Sequence, residues 1–349
     1  MDEAKFILYK NKLLDQYNIV RYMADSIAYS FKTNEEVGKV LETETDCDMS
    51  IHSIESLNKI KDPKRVWLLV QGWNKKDIIK MVGAGVIKFI IDNQSDLQVL
   101  ENYLLENDVK INLLLRVKFK ERTVHTGKYY VYGFSGLELN KQIQRISKNQ
   151  KFMEKINKLG IHFHRKTQNL SEWDLKEEIQ DIVKSENLKY IQIINIGGGI
   201  PCEYKNFRIN LKDIFQKIKE FKKWLNEQKI ELMMEPGRFL AAPCIELETE
   251  IKAIYKDTII LNCSVYNSSL DTFIWNIRLV AKDEILDEQK AGKIYTLKGC
   301  TPDSMDIFRY RIHLPEKKVG DKIVFMNAGA YNFNANFCSL PKLKTEIVG

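Results

Sequence analysis

Short apolar runs recur through the first two thirds of the chain, and amphipathic segments separate them. Runs rich in Ile, Val and Leu indicate buried parallel strands, whereas apolar residues spaced at 3.6 positions indicate helices. We place strands at residues 27–31, 45–50, 66–70, 86–92, 111–117, 160–164, 190–196 and 230–236. Helices are predicted at 34–42, 76–82, 95–105, 140–158 and 211–228. Eight strands alternating with helices predict an α/β fold, a TIM-like (β/α)8 barrel, with an open doubly wound sheet as the alternative.

The pattern changes after Pro243. Runs such as IELETEIKAIY, TIILNCSVY and DTFIWNIRLVA follow one another without long helices, and turn residues separate them. Such runs are typical of antiparallel strands. We therefore predict a C-terminal antiparallel β domain that an N-terminal strand (KFILYK) completes. The barrel would span residues 23–240, and the β domain would comprise residues 1–22 and 241–349.

Composition narrows the class of protein. No apolar stretch approaches the roughly 18–20 residues of a membrane span, and we find no signal peptide. The 6 cysteines are scattered without a C-x-x-C pair, so we expect free thiols and a cytoplasmic location. The net charge of +7 is spread over Lys-rich helices, which disfavours nucleic-acid binding. The 5 histidines lack metal-ligand spacing, so no metal site is predicted.

A glycine triplet follows the seventh predicted strand. Residues 191–201 form the run IQIINIGGGIP, in which Gly197, Gly198 and Gly199 end an apolar segment. Without β-carbons, these residues let the backbone approach an anion and point N–H groups at it. The triplet therefore predicts a phosphate cradle, although a plain tight turn would explain it equally well.

The ends of other predicted strands carry polar residues of complementary chemistry. Lys32 follows the first strand, Arg116 ends the fifth and His164 ends the sixth. Glu235 ends the eighth strand, and Arg238 comes shortly afterwards. Singly, these would be a surface lysine, a core histidine or an ion pair. Together with a phosphate cradle, a nucleophilic lysine and a carboxylate are the parts of a pyridoxal phosphate site.

At this point the sequence resembles the fold-type III pyridoxal-phosphate decarboxylases, which act on ornithine, diaminopimelate, arginine and carboxynorspermidine. The resemblance covers residues 6–341. It rests on the segments AYSFKTN, HFHRKTQ, INIGGGIP, MMEPGRFLAA, GCTPDSMD and GDKIVFMNAGAY, in the family's order. The family architecture is a barrel plus a β domain in a homodimer with two shared active sites.

The resemblance implies a role for each matched residue. Lys32 would form the Schiff base with the cofactor, pyridoxal 5'-phosphate, and His164 would stack on its ring. Glu235 would contact the pyridine nitrogen. The phosphate and its surroundings would be held by Arg116, Thr167, Gly197, Gly198, Gly199, Gly237, Arg238 and Tyr331.

The chain also departs from the family pattern. Pro302 replaces the cysteine that helps deliver a proton to the substrate carbon in the partner's site, while Cys300 lies two positions earlier. Asp303 remains where an acidic residue contacts the far end of the substrate. Cys263 stands near the position of an amine-binding aspartate in ornithine decarboxylases. Asn195 replaces an aspartate, and Arg165 and Lys166 replace small residues, adding positive charge beside the phosphate.

These departures predict a decarboxylase whose amino-acid-like substrate is not plain ornithine but carries a further anionic group or a larger conjugate. A tailoring enzyme of a natural-product pathway, as in microcin C-type biosynthesis, fits this description. The alternatives are a standard diaminopimelate, carboxynorspermidine or basic amino-acid decarboxylase, and a non-catalytic relative that regulates a decarboxylase. An alanine racemase and a phosphate-sugar enzyme on a similar barrel are further alternatives.

Overall fold

A computed structural model describes residues 3–119, 132–285 and 291–349. Eight parallel strands pair in sequence order, and the last pairs with the first to close a barrel. The strands are β2 (Ser26–Ser30), β3 (Asp48–Ile51), β4 (Val66–Leu68), β5 (Lys88–Ile91), β6 (Ile111–Arg116), β7 (Ile156–His162), β8 (Ile193–Asn195) and β9 (Glu231–Met234). The predicted parallel barrel is therefore confirmed.

Helices link the barrel strands and cover them on the outside. They are α1 (Lys10–Met23), α2 (Glu35–Glu44), α3 (Lys75–Gly83), α4 (Gln94–Glu106), α5 (Gly136–Lys148), α6 (Gln150–Met153), α7 (Leu175–Ile182), α8 (Ser185–Leu188), α9 (Leu211–Glu227) and α10 (Arg238–Ala241). In α9, Ile214, Ile218, Phe221 and Leu225 form the buried stripe. Among the described residues, no helix combines the length and apolar character needed to cross a membrane.

The predicted helix over residues 140–158 is wrong in its second half. The helix α5 ends at Lys148, and the side chain of Asn149 then accepts a hydrogen bond from the backbone N–H of Phe152. This bond caps the short helix α6, and β7 already begins at Ile156. A capping asparagine thus interrupts a segment whose apolar spacing alone is helical.

Successive side chains of the barrel strands point alternately into two apolar layers. One side of each strand packs against the helices in the main core. The opposite side fills the barrel with a separate apolar cluster of Ala28, Trp67, Leu69, Ile90, Leu114, Ile193 and Met233. Because side chains alternate with a period of two, residues two positions beyond this cluster also face inward, at the carboxyl end of the barrel.

The remaining strands form an eight-stranded sheet. They are β1 (Lys5–Tyr9), β10 (Ile245–Tyr255), β11 (Thr258–Leu261), β12 (Val280–Ala281), β13 (Lys293–Lys298), β14 (Ile307–Leu314), β15 (Lys322–Met326) and β16 (Lys344–Val348), with the short helices α11 (Val265–Ser268) and α12 (Asp271–Ile274) between them. As predicted, the N-terminal strand β1 joins this sheet, between β10 and β16. Most pairs are antiparallel, but β1–β16 and β11–β13 are parallel.

Candidate active site

The alternation of the barrel strands brings polar side chains to one end of the barrel. Arg116, Asn195 and Glu235 each lie two positions beyond an apolar residue of the inner cluster. The same alternation places His162, at the end of β7, and His164, two positions later, on the inward side of the chain. Chemistry-bearing residues that are far apart in sequence therefore meet at the carboxyl ends of the strands, where barrel enzymes hold their active sites.

A cavity at this end contains all but one of the predicted cofactor-binding residues. The exception is Gly197, which is not among the lining residues. The lining residues are Ser30, Lys32, His52, Leu69, Arg116, His162, His164, Thr167, Gly198, Gly199, Glu235, Gly237, Arg238 and Tyr331. Ser30, His52, Leu69 and His162 were not predicted. His162 could have been found from its position two residues before His164, whereas His52 follows a weak strand that gives little signal.

Glu235 is the carboxylate of the cavity, and it is buried. Its Oε1 accepts a hydrogen bond from Asn195 Nδ2 at 2.9 Å, and its Oε2 lies 3.5 Å from His162 Nε2. Burial opposes ionisation, but His162, His52 and the Asn195 amide outweigh it and lower the pKa of Glu235 to about 2. Glu235 is therefore a stable anion at neutral pH.

Lys32 lies on a short 3-10 turn, Phe31–Thr33, directly after β2. Its side chain remains accessible to solvent on one side, yet the protein around it is dense. Burial lowers the pKa of Lys32, Glu235 opposes this change, and Arg116 adds to it. A lysine with a lowered pKa is a better nucleophile at neutral pH because more of it is unprotonated.

Arg238 is fixed by three hydrogen bonds from its guanidinium. Its Nε donates to Thr167 Oγ1 at 3.1 Å, and its Nη1 donates to Tyr204 OH at 2.9 Å and to Asp271. The ring of Tyr331 lies 5.1 Å from the guanidinium carbon. Buried Nη2 has no hydrogen-bond partner among the described residues. A guanidinium held in this way is ready to bind an anion with its remaining nitrogen.

The glycine triplet is needed for packing at this end of the barrel. Gly197 and Gly199 have φ of +65° and +97°. A β-carbon at Gly197 would lie 2.6 Å from the carbonyl oxygen of Phe163, and one at Gly198 would lie 2.7 Å from that of Glu235. The N–H groups of Gly197 and Gly198 already donate to Asn195 Oδ1 and His164 Nδ1. Of the three, only the Gly199 N–H has no acceptor among the described residues.

Three histidines line the cavity: His162 is buried, His52 is partly buried, and His164 is accessible on one side. Burial is the main cause that lowers the pKa of His52 to about 3, and it lowers the pKa of His162 and His164 as well. All three rings are therefore neutral at neutral pH. Since His164 Nδ1 accepts a hydrogen bond from Gly198, its proton is on Nε2.

The structure places Cys300 and Asp303 outside this cavity. They lie on residues 299–306, here called the 299–306 loop, in the β domain. Asp303 Oδ1 accepts hydrogen bonds from Tyr266 OH at 3.2 Å and from the Met305 N–H at 2.7 Å. The half-buried Cys300 has a raised pKa, chiefly because of burial, so its thiol stays protonated. Within one chain, these two predicted residues do not join the others.

Arg165 does not add positive charge to the cavity, contrary to the sequence-based expectation. Its buried guanidinium lies 3.8 Å from Glu172, forms an ion pair with Glu178 and lies 4.8 Å from the ring centre of Phe119. Lys166 is not among the lining residues. The charge of Arg165 is therefore neutralised within the protein.

A barrel that gathers a lysine, a buried carboxylate, a histidine and an arginine with an unpartnered nitrogen at one end has the side chains that a class of pyridoxal phosphate enzymes uses. Residues 4–242 match the family model of the pyridoxal-dependent decarboxylase, pyridoxal binding domain. Residues 239–329 match that of the pyridoxal-dependent decarboxylase, C-terminal sheet domain. The chain belongs to this family of decarboxylases, which are carboxy-lyases, and its cofactor is pyridoxal phosphate.

Two curated relatives differ in the substrate that their names state. Diaminopimelate decarboxylase of Helicobacter pylori is 25% identical over 347 residues, covering 91% of this chain and 82% of the relative. The 2-[(L-alanin-3-ylcarbamoyl)methyl]-2-hydroxybutanedioate decarboxylase of Staphylococcus aureus is 27% identical over 297 residues, covering 75% of this chain and 71% of the relative.

Solved structures share the fold. Diaminopimelate decarboxylase from Helicobacter pylori complexed with L-lysine gives a TM-score of 0.83 at 20% identity, over 100% of this chain and 92% of that one. Lysine/ornithine decarboxylase from Vibrio vulnificus complexed with cadaverine gives 0.80 at 18% identity, over 99% and 94%.

The residues of the cavity fit pyridoxal phosphate. Several buried polar atoms there have no hydrogen-bond partner within the described part of the chain, among them Arg116 Nε, Arg238 Nη2, His52 Nδ1 and both ring nitrogens of His162. Buried polar groups are normally satisfied, so such a cluster indicates a polar ligand. Two cationic side chains and a free glycine N–H suit a phosphate, and the anion Glu235 suits a protonated ring nitrogen.

Proposed function

We propose that the chain removes the α-carboxylate of an amino acid, or of an amino-carboxyalkyl group, whose far end carries a further anionic group or a larger conjugate. The observation that carries this proposal is the charge of the cavity lining. Arg116 contributes positive charge there in addition to Lys32 and Arg238, which the cofactor would occupy, and the only carboxylate among the described lining residues is Glu235. Because Asn195 and His162 already contact Glu235, the lining that one chain supplies has no carboxylate available for a free amine such as that of ornithine.

Cys263 supports the same substrate class. The side chain is buried, and burial raises the pKa of its thiol. An uncharged thiol cannot pair with an alkylammonium group, as the aspartate of ornithine decarboxylases does. The relatives also support it, because diaminopimelate and a hydroxybutanedioate conjugate both carry carboxylates besides the one that is lost. A natural-product or similar conjugate therefore remains our first candidate, with diaminopimelate as the second.

In the proposed site, each residue has a separate task. When bound, pyridoxal phosphate supplies an electron sink that makes loss of CO2 from the α-carbon feasible. Lys32 holds the cofactor through its amine, which its lowered pKa makes available. Arg238 and the Gly199 N–H bind the phosphate, with Thr167, Tyr204 and Asp271 fixing the guanidinium.

Glu235 and the histidines control protons and orientation. The anion Glu235 would stabilise positive charge on the ring nitrogen of the cofactor. The neutral His164, which the Gly198 N–H orients, would stack on the cofactor ring. Since burial keeps His52 and His162 neutral, they do not compete with the cofactor for the negative charge of Glu235.

We also propose a homodimer in which the 299–306 loop reaches the active site of the partner. The loop is braced internally: buried Asp306 accepts bonds from the N–H groups of Val265 and Thr301 and from the Thr301 hydroxyl. Its tip exposes Met305, which is 60% accessible. Cys300 and Asp303 would then act on the partner's substrate. The free cysteines support a location in the reducing cytoplasm.

The test is a substrate screen by CO2 release, using the purified protein loaded with pyridoxal phosphate. The panel contains ornithine, lysine, arginine, meso-diaminopimelate and a citrate conjugate of 2,3-diaminopropionate. We expect kcat/KM for an acidic substrate to exceed that for ornithine by at least about tenfold, which corresponds to ~1.4 kcal/mol of discrimination. Preferred turnover of ornithine or lysine would contradict the proposal.

A further inference from the structure

Asn195 connects two parts of the site that contact opposite ends of the cofactor in the proposed function. It is fully buried at the end of β8. Its Nδ2 donates to Glu235 Oε1 at 2.9 Å, and its Oδ1 accepts from the Gly197 N–H at 2.8 Å. A third bond, from the Glu235 N–H to the Gly197 carbonyl oxygen at 2.7 Å, closes the arrangement. One side chain therefore fixes both the carboxylate and the start of the glycine triplet.

The two partners determine which way the amide points. Gly197 offers an N–H and needs an acceptor, whereas Glu235 is an acceptor and needs a donor. The Asn195 amide meets both needs, whereas an ionised carboxylate at this position could only accept. An aspartate would still accept from Gly197 but would place a second carboxylate oxygen against Glu235. Two such carboxylates cannot both ionise at this separation, so one proton would be shared between them.

Other charged or titratable groups also face Glu235, but none of those described is also hydrogen-bonded to Gly197. His162, whose Nε2 lies 3.5 Å from Glu235 Oε2, and His52 also lower the pKa of Glu235, and Lys32 and Arg116 act on the carboxylate through space, by their charge. Asp92, after β5, is a further carboxylate whose charge acts on Arg116 and His162. The Asn195 amide is thus the closest hydrogen-bond donor to the Glu235 carboxylate among the described residues.

We infer that Asn195 is a positioning residue: it holds the Glu235 carboxylate ionised and aimed into the cavity, and it ties that carboxylate to the glycine triplet. The inference rests on the proposed role of Glu235 toward the cofactor. It predicts that the identity of residue 195 sets the proton affinity of the site, not merely its packing. Asparagine and aspartate are close in size, so the two effects can be separated.

The first measurement is the unfolding of cofactor-free protein between about pH 5 and pH 8 for wild type, N195D, E235Q and N195D/E235Q. In N195D, the shared proton raises the pKa of one folded carboxyl above its unfolded value, so the stability deficit grows as pH rises. In the double variant, the amide introduced at position 235 donates to the carboxylate introduced at position 195, and a single carboxylate remains. The pH-dependent part of the deficit should therefore disappear.

The second measurement follows the visible absorbance of bound pyridoxal phosphate over the same pH range. In N195D we expect the midpoint of the absorbance titration to move by at least about one pH unit, a tenfold change in proton affinity. The double variant should instead match E235Q, because its carboxylate no longer faces the cavity. If neither E235Q nor the double variant changes the absorbance while the stability pattern persists, the positioning role stands and the proposed role of Glu235 fails.

N187D is the matched control, because Asn187 is also fully buried and donates to Asn140 Oδ1 at 2.7 Å, outside the cavity. Adding E235Q should leave any deficit of N187D unchanged. A deficit in N195D that is constant with pH and is not relieved by E235Q would overturn the inference, since it would show that Asn195 only fills space.

Discussion

The two ends of the barrel carry charged side chains on the same inward-facing rows of the strands. At the amino end, Lys158 Nζ lies 2.6 Å from Glu231, and Lys88 Nζ lies 2.6 Å from Asp48. Four residues further along the chain, these rows continue as His162, Glu235, Asp92 and His52 at the carboxyl end. There the two histidines have buried ring nitrogens without partners among the described residues.

The difference between the ends distinguishes charged residues that stabilise the fold from charged residues that are available to a ligand. The amino-end charges are close to complementary partners, so they need no ligand to satisfy them. At the carboxyl end, a folding chain with nothing to bind would be destabilised by several polar atoms left buried and unsatisfied. Such a cost is expected where a ligand completes the arrangement. Variants at matched positions of the two ends should therefore behave differently.

The largest difference is expected between the two lysines. K32A should abolish CO2 release, by about 10³-fold or more, because the amine that holds the cofactor is lost. K158A should keep activity within about twofold of wild type, since the pair with Glu231 is half exposed and contributes at most ~1 kcal/mol. Borohydride reduction followed by peptide mass mapping provides an independent readout. A cofactor adduct on Lys32 in wild type and K158A, and none in K32A, is expected.

The two glutamates should give the next largest difference. E235Q removes the charge that stabilises the cofactor ring, so we expect turnover to fall by about 10²–10³-fold while pyridoxal phosphate stays bound. E231Q should lose little activity. Steady-state kinetics together with equilibrium binding of the cofactor check both expectations. Full activity in E235Q would contradict the role of this carboxylate.

The smallest expected effect concerns the pH dependence of stability, compared between wild type and H52Q. With its pKa lowered to about 3, folded His52 binds no proton between about pH 3 and 6.5, whereas the unfolded chain does. Stability of the cofactor-free protein should therefore rise with pH through this window, by up to ~1.4 kcal/mol per pH unit for each such histidine. Urea unfolding of wild type and H52Q should show a shallower slope in the variant. Equal slopes would mean that His52 can be protonated in the fold.

Much of the fold follows from local patterns that one sequence displays. Three apolar runs end at or beside Arg116, the glycine triplet and Glu235. These runs predict strands, and the ends of these strands mark the carboxyl end of the barrel. His162 lies on the same inward-facing row of β7 as His164. Two histidines at positions i and i+2 do not match a metal-ligand spacing, so His162 was not singled out in the sequence. His52 was harder to find because its strand, Asp48–Ile51, is short and begins with a charged residue.

Other properties depend on distant contacts and could not be predicted. The neutralisation of Arg165 requires Glu172 and Glu178, and nothing in the HRKTQ segment indicates that the guanidinium turns away from the cavity. The bond from Gly198 to His164, which removes a donor from the phosphate cradle, depends on how closely β7 and β8 approach. The assignments of Cys300 and Asp303 concern a partner subunit and stay predictions.

The pairing of β1 with β16 has a consequence for how the chain reaches its final form. Lys5 bonds to Glu346 across 341 residues, whereas the barrel strands end at Met234. During synthesis, the barrel can thus close on the ribosome well before β16 exists. Until then β1 pairs along only one edge, and its other edge is open to strands of other nascent chains. Residues 344–348 therefore cover an edge of β1 on which other strands could otherwise pair.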